Sequence, residues 1–510
     1  MNLINKTLTR FLFISSLFVI NHGCTDVSEE IYSDATPENF YNTEEEFVSA
    51  LGQAYANLDL WADHNRLIAL QEVTTDEMVV PTRGSDWNDG GSHRRLHRHE
   101  WNIDAVRPNR TWNFLFGGIS TVNRLIFQFE NLEDVENSDR YIAELRGLRA
   151  LFYWQLIDLF GNVPIVTEFD VPDDFAPETN SREEVFDFIE SELMEIEDLV
   201  TQDVGGNAYG RINYYTVQAI LAKLYLNAEV YKNTPEWSKA EAACDKIINS
   251  GEFSLADNFF NNFVTNNQAS PEFIFAIPYD EIFMPVFKYH RISLHYENQD
   301  TYNLTVQPWN GFSTLEEFYN SYSEEDIRKE GFIVGPQYSS TGERLTDPGV
   351  EPRDPDGPPI TFTPEITALD DALRQEGARI GKWEIAPGST ANLNNDFAIF
   401  RYADILLMKA EARFWQGETT GEALELVNRI RIRAGLDNNL FSELTEENLL
   451  AERGRELFGE LQRRTDLIRF NKFNDAWWEK EADPNDHVNI FPIPRPQLDA
   501  NPNLTQNPGY

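Results

Sequence analysis

Cysteine is almost missing: the 510-residue chain has two, Cys24 and Cys244. That excludes a disulfide framework and a CxxC metal site. Cations are scarce too. There are 42 Lys and Arg against 85 Asp and Glu, a formal charge of −43. Nucleic-acid binders gain affinity by neutralising phosphates with Lys and Arg, so this balance excludes that class. It equally excludes docking on anionic lipid through a basic patch. It favours solubility and a neutral or cationic ligand. Long apolar runs are lacking. Phe11–Ile20 is ten residues long, too short to span a ~30 Å hydrocarbon core as a helix, and no later stretch reaches 18. GxSxG, Walker A, GxGxxG and HExxH are absent, which removes the local signatures of several enzyme classes. With 85 acidic residues some pair always resembles a glycosidase dyad, so no catalytic residue is assigned.

What is present is an ordinary globular composition, 41% hydrophobic and 25% charged, able to bury a large core. Lys6 and Arg10, the apolar stretch and then Gly23-Cys24 have the order of a bacterial secretory signal. Residues 1–23 read as signal peptide and Cys24 as an acylated first residue, although Asn21 and His22 depart from a strict lipobox. Cys244, left alone in an Ala-rich helical pattern, reads as a buried small hydrophobe.

Helices dominate the rest. Thr43 opens a capping box before Phe47, predicting a helix to about Leu60. Ser181 with Glu184 repeats the device. Leu145, Leu148, Phe152, Leu156 and Leu159 share one helix face, closed by Gly161 and Pro164. Leu221, Leu224 and Ala228 mark another helix. Thr234-Pro235 reads as N-cap and N1 proline of a helix running to Gly251. Tyr402–Trp415 and Glu422–Ala434 form a pair broken at Gly417. The pairs resemble tetratricopeptide units, scattered rather than tandem. Phe253 to about Asn395 lacks long helical periodicity and is loop-rich, with a Pro/Asp/Gly loop over Asp347–Pro359. From Phe491 the chain reads as extended.

Several blocks in fixed order carry a family resemblance. They are Thr75–Gly84, Gly147–Tyr153, Arg401–Ala412, Glu452–Leu457 continuing through Arg464–Arg469, Phe491-Pro492-Ile493-Pro494 and Asn501–Tyr510. The sequence resembles the SusD/RagB family of outer-membrane nutrient-binding lipoproteins over nearly all of the mature chain. The resemblance implies a mainly α, tetratricopeptide-like fold with a large irregular, loop-rich C-terminal insertion. Its parts would be a helical region over 24–230 and a C-terminal region over 270–510, packed together. It implies a surface-exposed, lipid-anchored protein of the outer membrane that passes an oligosaccharide to a SusC-like TonB-dependent transporter. No chemistry, cofactor or metal is implied. A RagB-like peptide binder is the alternative, and a surface glycan hydrolase a more distant one. The blocks themselves read as structural. Over Glu452–Arg469, acids and arginines recur at helix-surface spacing, predicting a salt-bridged helix docked on the core.

Sugars are held by flat aromatic faces and planar polar groups. Two segments supply that mixture. Arg83 to Gly91 is a glycine-marked loop holding Trp87 among Arg83, Asp86 and Asn88. Tyr302 to Phe312 contains Trp309 and Asn310. In the resembling family the glycan site forms where loops at these places meet. Trp87 and Trp309 are therefore the candidate stacking residues, with Arg83, Asp86, Tyr302 and Asn310 as hydrogen-bonding candidates. His93 and His97 have the i,i+4 spacing of a zinc pair, but the adjacent arginines repel a cation. Asp354-Pro355-Asp356-Gly357 lacks the downstream spacing of a calcium loop.

Overall fold

Apolar residues recurring every three to four positions build helices that bury one stripe and stack in pairs. The computed structural model describes residues 44–84, 86–131, 138–349 and 357–510. Residues 1–23, read above as a signal peptide, Cys24, Thr43 and 354–356 of the acidic loop lie outside them. Helix α1 (Glu44–Ala56) continues into a 3-10 turn over Asn57–Leu60. Helices α2 (Val106–Glu130) and α3 (Ser138–Leu159) form the first long pair. They approach closely because Gly118 has no side chain: a Cβ there would sit 2.4 Å from the Phe152 ring. Helix α4 (Arg182–Ile196) opens on the expected Ser181–Glu184 capping box and packs on α3. Helices α5 (Tyr214–Leu226) and α6 (Trp237–Ile248) form the second pair, α7 (Tyr402–Trp415) and α8 (Glu422–Arg433) the third. Helix α6 packs on α7, so early and late parts of the chain share one core. Cys244 is buried there as a free thiol.

Phe253–Asn395 carries only short helices and short strands. Strand β1 (Met78–Val79) pairs antiparallel with β3 (Ser313–Thr314), and β2 (Phe273–Ile277) pairs with the strand Phe397–Arg401 that leads into α7. Residues Phe47–Tyr510 make one compact unit, mainly α and tetratricopeptide-like.

Three local expectations are corrected. Thr234-Pro235 does not cap α6. The helix begins at Trp237 after Glu236, whose backbone (φ −127°, ψ 37°) is not helical and whose side chain caps nothing. The segment after Phe491 is interrupted by a short helix, Arg495–Ala500, with Pro494 at its N-cap position and Pro496 in its first turn. Asn507 still fastens the strap, donating to the carbonyls of Phe160 and Phe491 at 2.7 and 2.8 Å.

The third correction concerns Glu452–Arg469. It is two helices, α9 (Glu446–Leu457) and α10 (Arg463–Arg469), broken where Gly459 and Leu461 take φ of 71° and 63°. Most of its charges are buried and pair across elements, with Arg455–Glu452 and Arg469–Asp466 the pairs made along a helix. Arg401 reaches Glu456 and Glu460 at 2.6 Å and Glu272 at 3.2 Å. Arg328 joins Asp326, Glu452 and Glu456 at 2.8–3.1 Å. Burial alone would raise the Glu452 carboxyl, yet Arg328, Arg455 and Arg431 hold it down at about 2. Glu456 is likewise held low against burial, by Arg433, Arg401 and Arg328.

Candidate functional site

The β1–β3 pair decides what meets what. Met78 faces Thr314 and Val79 faces Ser313 in antiparallel register. The chain leaving β1 towards residue 87 therefore runs beside the chain entering β3 from residue 309. Trp87 and Trp309, 222 positions apart, come together: the Trp87 indole N–H donates to the Trp309 carbonyl at 2.6 Å. Their ring centroids are 6.3 Å apart at an interplanar angle of 56°. Both are half-buried.

Each loop is held from beneath. Arg83 and Asp86 exchange backbone hydrogen bonds at 3.0 and 3.1 Å, with Gly84 between them at φ 65°. Trp87 itself has φ 57°, an unusual conformation for so bulky a residue and a form of strain that gathers at functional sites. Arg94 donates to the Asn88 side chain at 2.9 Å and Arg95 to the Gly90 carbonyl at 2.7 Å. On the other side, the short helix Tyr289–Ser293 accepts the second loop: Trp309 N donates to Arg291 O at 2.7 Å, and Gly311 N and Phe312 N to Ile292 O at 2.9 Å. Gly311 abuts the Trp87 indole, and a Cβ there would lie 2.3 Å from Cε2.

Sequence reasoning missed the surroundings of the two indoles. His93 and Phe312 each lie 5.5 Å from Trp87, and His64 lies 5.5 Å from Trp309. The Arg291 guanidinium sits 4.2 Å from the Trp309 ring centroid, covering one side of it. No local pattern marks Arg291 or His64; only the fold brings them in. A polar cavity of about 450 Å³ opens alongside, sharing Asn65, Asp89 and Arg107 with this neighbourhood.

The four polar candidates divide. Arg83 is buried, and its guanidinium is spent on protein: Nε donates to Asn310 O at 3.0 Å, Nη1 to Leu373 O at 3.0 Å and Nη2 to Ser313 Oγ at 2.8 Å. Burial pushes it down to about 10. Asn310 is buried as well, donating to Arg374 O and accepting from Arg379 Nη2, both at 2.9 Å. These two shape the loops instead of facing a ligand. A buried polar group must be satisfied by its neighbours, and here it is. Asp86 is half-buried and accepts from the Tyr296 hydroxyl. Tyr302 packs on the apolar cluster of Leu294, Leu304 and Ile385. Among the described residues no ring contact or hydrogen bond joins it to the indoles. His93 and His97 point to separate partners, Arg107 and the Trp478 carbonyl. The described residues hold no group of three or more His, Cys, Asp or Glu placed for a metal ion.

The scaffold is mainly helical and sets two aromatic loops side by side, and no described helix is long and apolar enough to cross a membrane. Two family models match: the SusD family over residues 375–510, and "Starch-binding associating with outer membrane" over 26–226. The chain belongs to the SusD/RagB family. It is 27% identical to starch-binding protein SusD of Bacteroides thetaiotaomicron, covering 86% of this chain and 84% of that one. It is 26% identical to SusD-like protein P38 of Formosa agariphila, covering 98% of each. Among solved structures it resembles surface glycan-binding protein A of Bacteroides thetaiotaomicron in complex with laminarihexaose. There the TM-score is 0.73 and the identity 22%, over 91% of this chain and all of that one. The first and the last of these are named as binding proteins.

Proposed function

We propose that this protein captures an oligosaccharide at the cell surface and passes it to a SusC-like TonB-dependent transporter, and that Trp87 and Trp309 carry the binding. The observation that carries this reading is the pair of half-buried indoles held 6.3 Å apart by segments 222 positions apart. Relatives named for starch and for laminarihexaose support a glycan as ligand. The mechanism is capture without chemistry. Aromatic faces cover the apolar C–H face of a sugar, Asp86 and the polar rim accept its hydroxyls, and the barrel performs transport. A lipid on Cys24 gives one anchor and the transporter a second, since a single acyl chain holds a protein only marginally.

Calorimetry with oligosaccharides and, side by side, peptides tests the reading. Trp87→Ala and Trp309→Ala should each weaken oligosaccharide binding by about 1–3 kcal/mol, as aromatic stacking does for nucleic-acid bases. Unchanged affinity in both variants, or tighter binding of peptides, would refute it. Cys24→Ala should move the protein from the membrane to the soluble fraction; unaltered fractionation would remove the anchor.

A further inference from the structure

The chain as a whole is strongly anionic, and its described cations are mostly paired. Beside Trp309 they are not. Arg291 lies against the Trp309 ring, has a half-buried side chain, and forms no ion pair or side-chain hydrogen bond among the described residues. Its Nε is buried without a partner. Lys288, three residues earlier and half-buried, likewise has no partner among the described residues. Arg66 shares the same neighbourhood: burial, then Arg291 and Arg66, lower the Lys288 ammonium against the opposing pull of Asp63. Asp63 is already engaged, by Arg66 at 2.9 Å, by the His64 ring at 3.5 Å and by the Asn65 N–H at 2.9 Å. Burial lowers Arg291 with no carboxylate opposing it. Lys288 thus has only the engaged Asp63 pulling against its burial, and Arg291 has no opposing carboxylate, at the edge of an aromatic face. An unpaired, partly desolvated guanidinium is costly in the free protein. It is recovered when a ligand brings an anion, most strongly a planar or tetrahedral oxyanion that accepts two N–H bonds.

From this geometry we infer that the glycan is acidic: the sugar that stacks at Trp87 and Trp309 carries an oxyanion, a carboxylate or a sulfate ester, that Arg291 and Lys288 grip. The inference rests on the proposed glycan-binding reading and deepens it. It also reverses what net charge suggested, because at physiological salt a charge is felt only within about 8 Å. The local cations, not the total of −43, set what the face accepts.

Matched probes test it on the full chain. One pair is a galacturonate oligosaccharide and its carboxyl-reduced form; the other is a sulfated galactan oligosaccharide and its desulfated form. Calorimetry at about 0.1 M salt should show at least one anionic member binding about tenfold or more tighter than its neutral partner. Which pair shows the preference tells carboxylate from sulfate. Arg291→Gln and Lys288→Gln should each shrink that preference, and together bring it within about threefold. Arg291→Lys should restore part of it. Lys288→Gln breaks no hydrogen bond or ion pair among the described residues, so it keeps the test open should Arg291→Gln fold poorly. Equal affinity for the charged and neutral members, still lost in Trp87→Ala, would overturn this inference and leave the glycan reading standing. Binding that ignores Trp87→Ala and Trp309→Ala, or no binding of any of the four, would overturn both.

Discussion

Gly311→Ala moves the Trp87 indole without deleting any group a ligand could touch. Gly311 lies outside the left-handed region, so alanine suits its backbone. The three nearest atoms a Cβ would meet all belong to Trp87: Cε2 at 2.3 Å, Cζ2 at 2.5 Å and Nε1 at 2.7 Å. Carbon atoms rest at about 3.5 Å or more, so the indole must retreat by roughly 1 Å. It is half-buried, and the retreat breaks its 2.6 Å hydrogen bond to Trp309 O. That bond is worth about 1 kcal/mol. Alanine returns part of this by stiffening the unfolded chain, so stability should fall by about 1 kcal/mol or less. For a chain this long the shift in Tm is about 2 °C. Affinity depends on where the ring stands, and should drop by about 5- to 150-fold, the range of one lost stacking contact. Calorimetry with an oligosaccharide reads the affinity, and a thermal melt reads the stability. In a Trp87→Ala background the same change should do nothing more, because the clash has gone; a double-mutant cycle exposes that coupling. Gly117→Ala, where a Cβ meets nothing within 4 Å, is the control. Wild-type affinity in Gly311→Ala, or an equal further loss on top of Trp87→Ala, would refute the argument.

Two further outcomes concern the scaffold. Glu456→Gln leaves Arg401, Arg328 and Arg433 short of a buried carboxylate, and should cost about 3–5 kcal/mol in denaturant unfolding at pH 7. Because the folded carboxyl is held low, its stabilisation is present above the ordinary value near 4.5 and lost as pH falls through the folded one. The gap between wild type and variant should therefore narrow in acid; a gap that stays constant to pH 2 would contradict this. Asp396 behaves in the opposite sense: burial raises it to about 6 despite the hydrogen bond from Tyr209. Its contribution is fully present below about 4 and lost as pH rises to about 6, a span worth roughly 3 kcal/mol. Asp396→Asn, which can still accept from Tyr209, should melt like wild type at pH 4 and higher than wild type at pH 8. A lower Tm at pH 8 would count against it.

Periodicity and capping were legible wherever they act locally. Ser181–Glu184 caps a helix as its spacing says, and the face from Leu145 to Leu159 is buried as its period says. Thr234-Pro235 misled because the tertiary path, not the local cap, fixes where α6 begins. Glu452–Arg469 misled because residue spacing cannot tell a solvated charge from a buried one. Arg453 looks like a helix-surface residue in sequence, yet it lies fully buried between Asp404, Glu411 and Asp466. At the candidate site, that Trp87 and Trp309 stay partly accessible was legible, since a large aromatic in a polar, glycine-marked loop has poor local support for burial. Arg83 and Asn310 could not be assigned correctly: whether a polar side chain faces solvent or a carbonyl across 227 positions is decided by the β1–β3 register. Arg291 carries no sequence signal at all.

The meeting of Trp87 with Trp309 has a thermodynamic corollary. A face made by two distant stretches of chain exists only while both are folded against each other, so a ligand that grips both has no counterpart to grip in the unfolded chain. Binding and unfolding are then linked by mass action, and ligand at a hundred times its Kd adds about 2.7 kcal/mol to the whole unit. Melting the protein against a library of oligosaccharides therefore becomes a search for its ligand: the sugar that fits will announce itself as heat resistance.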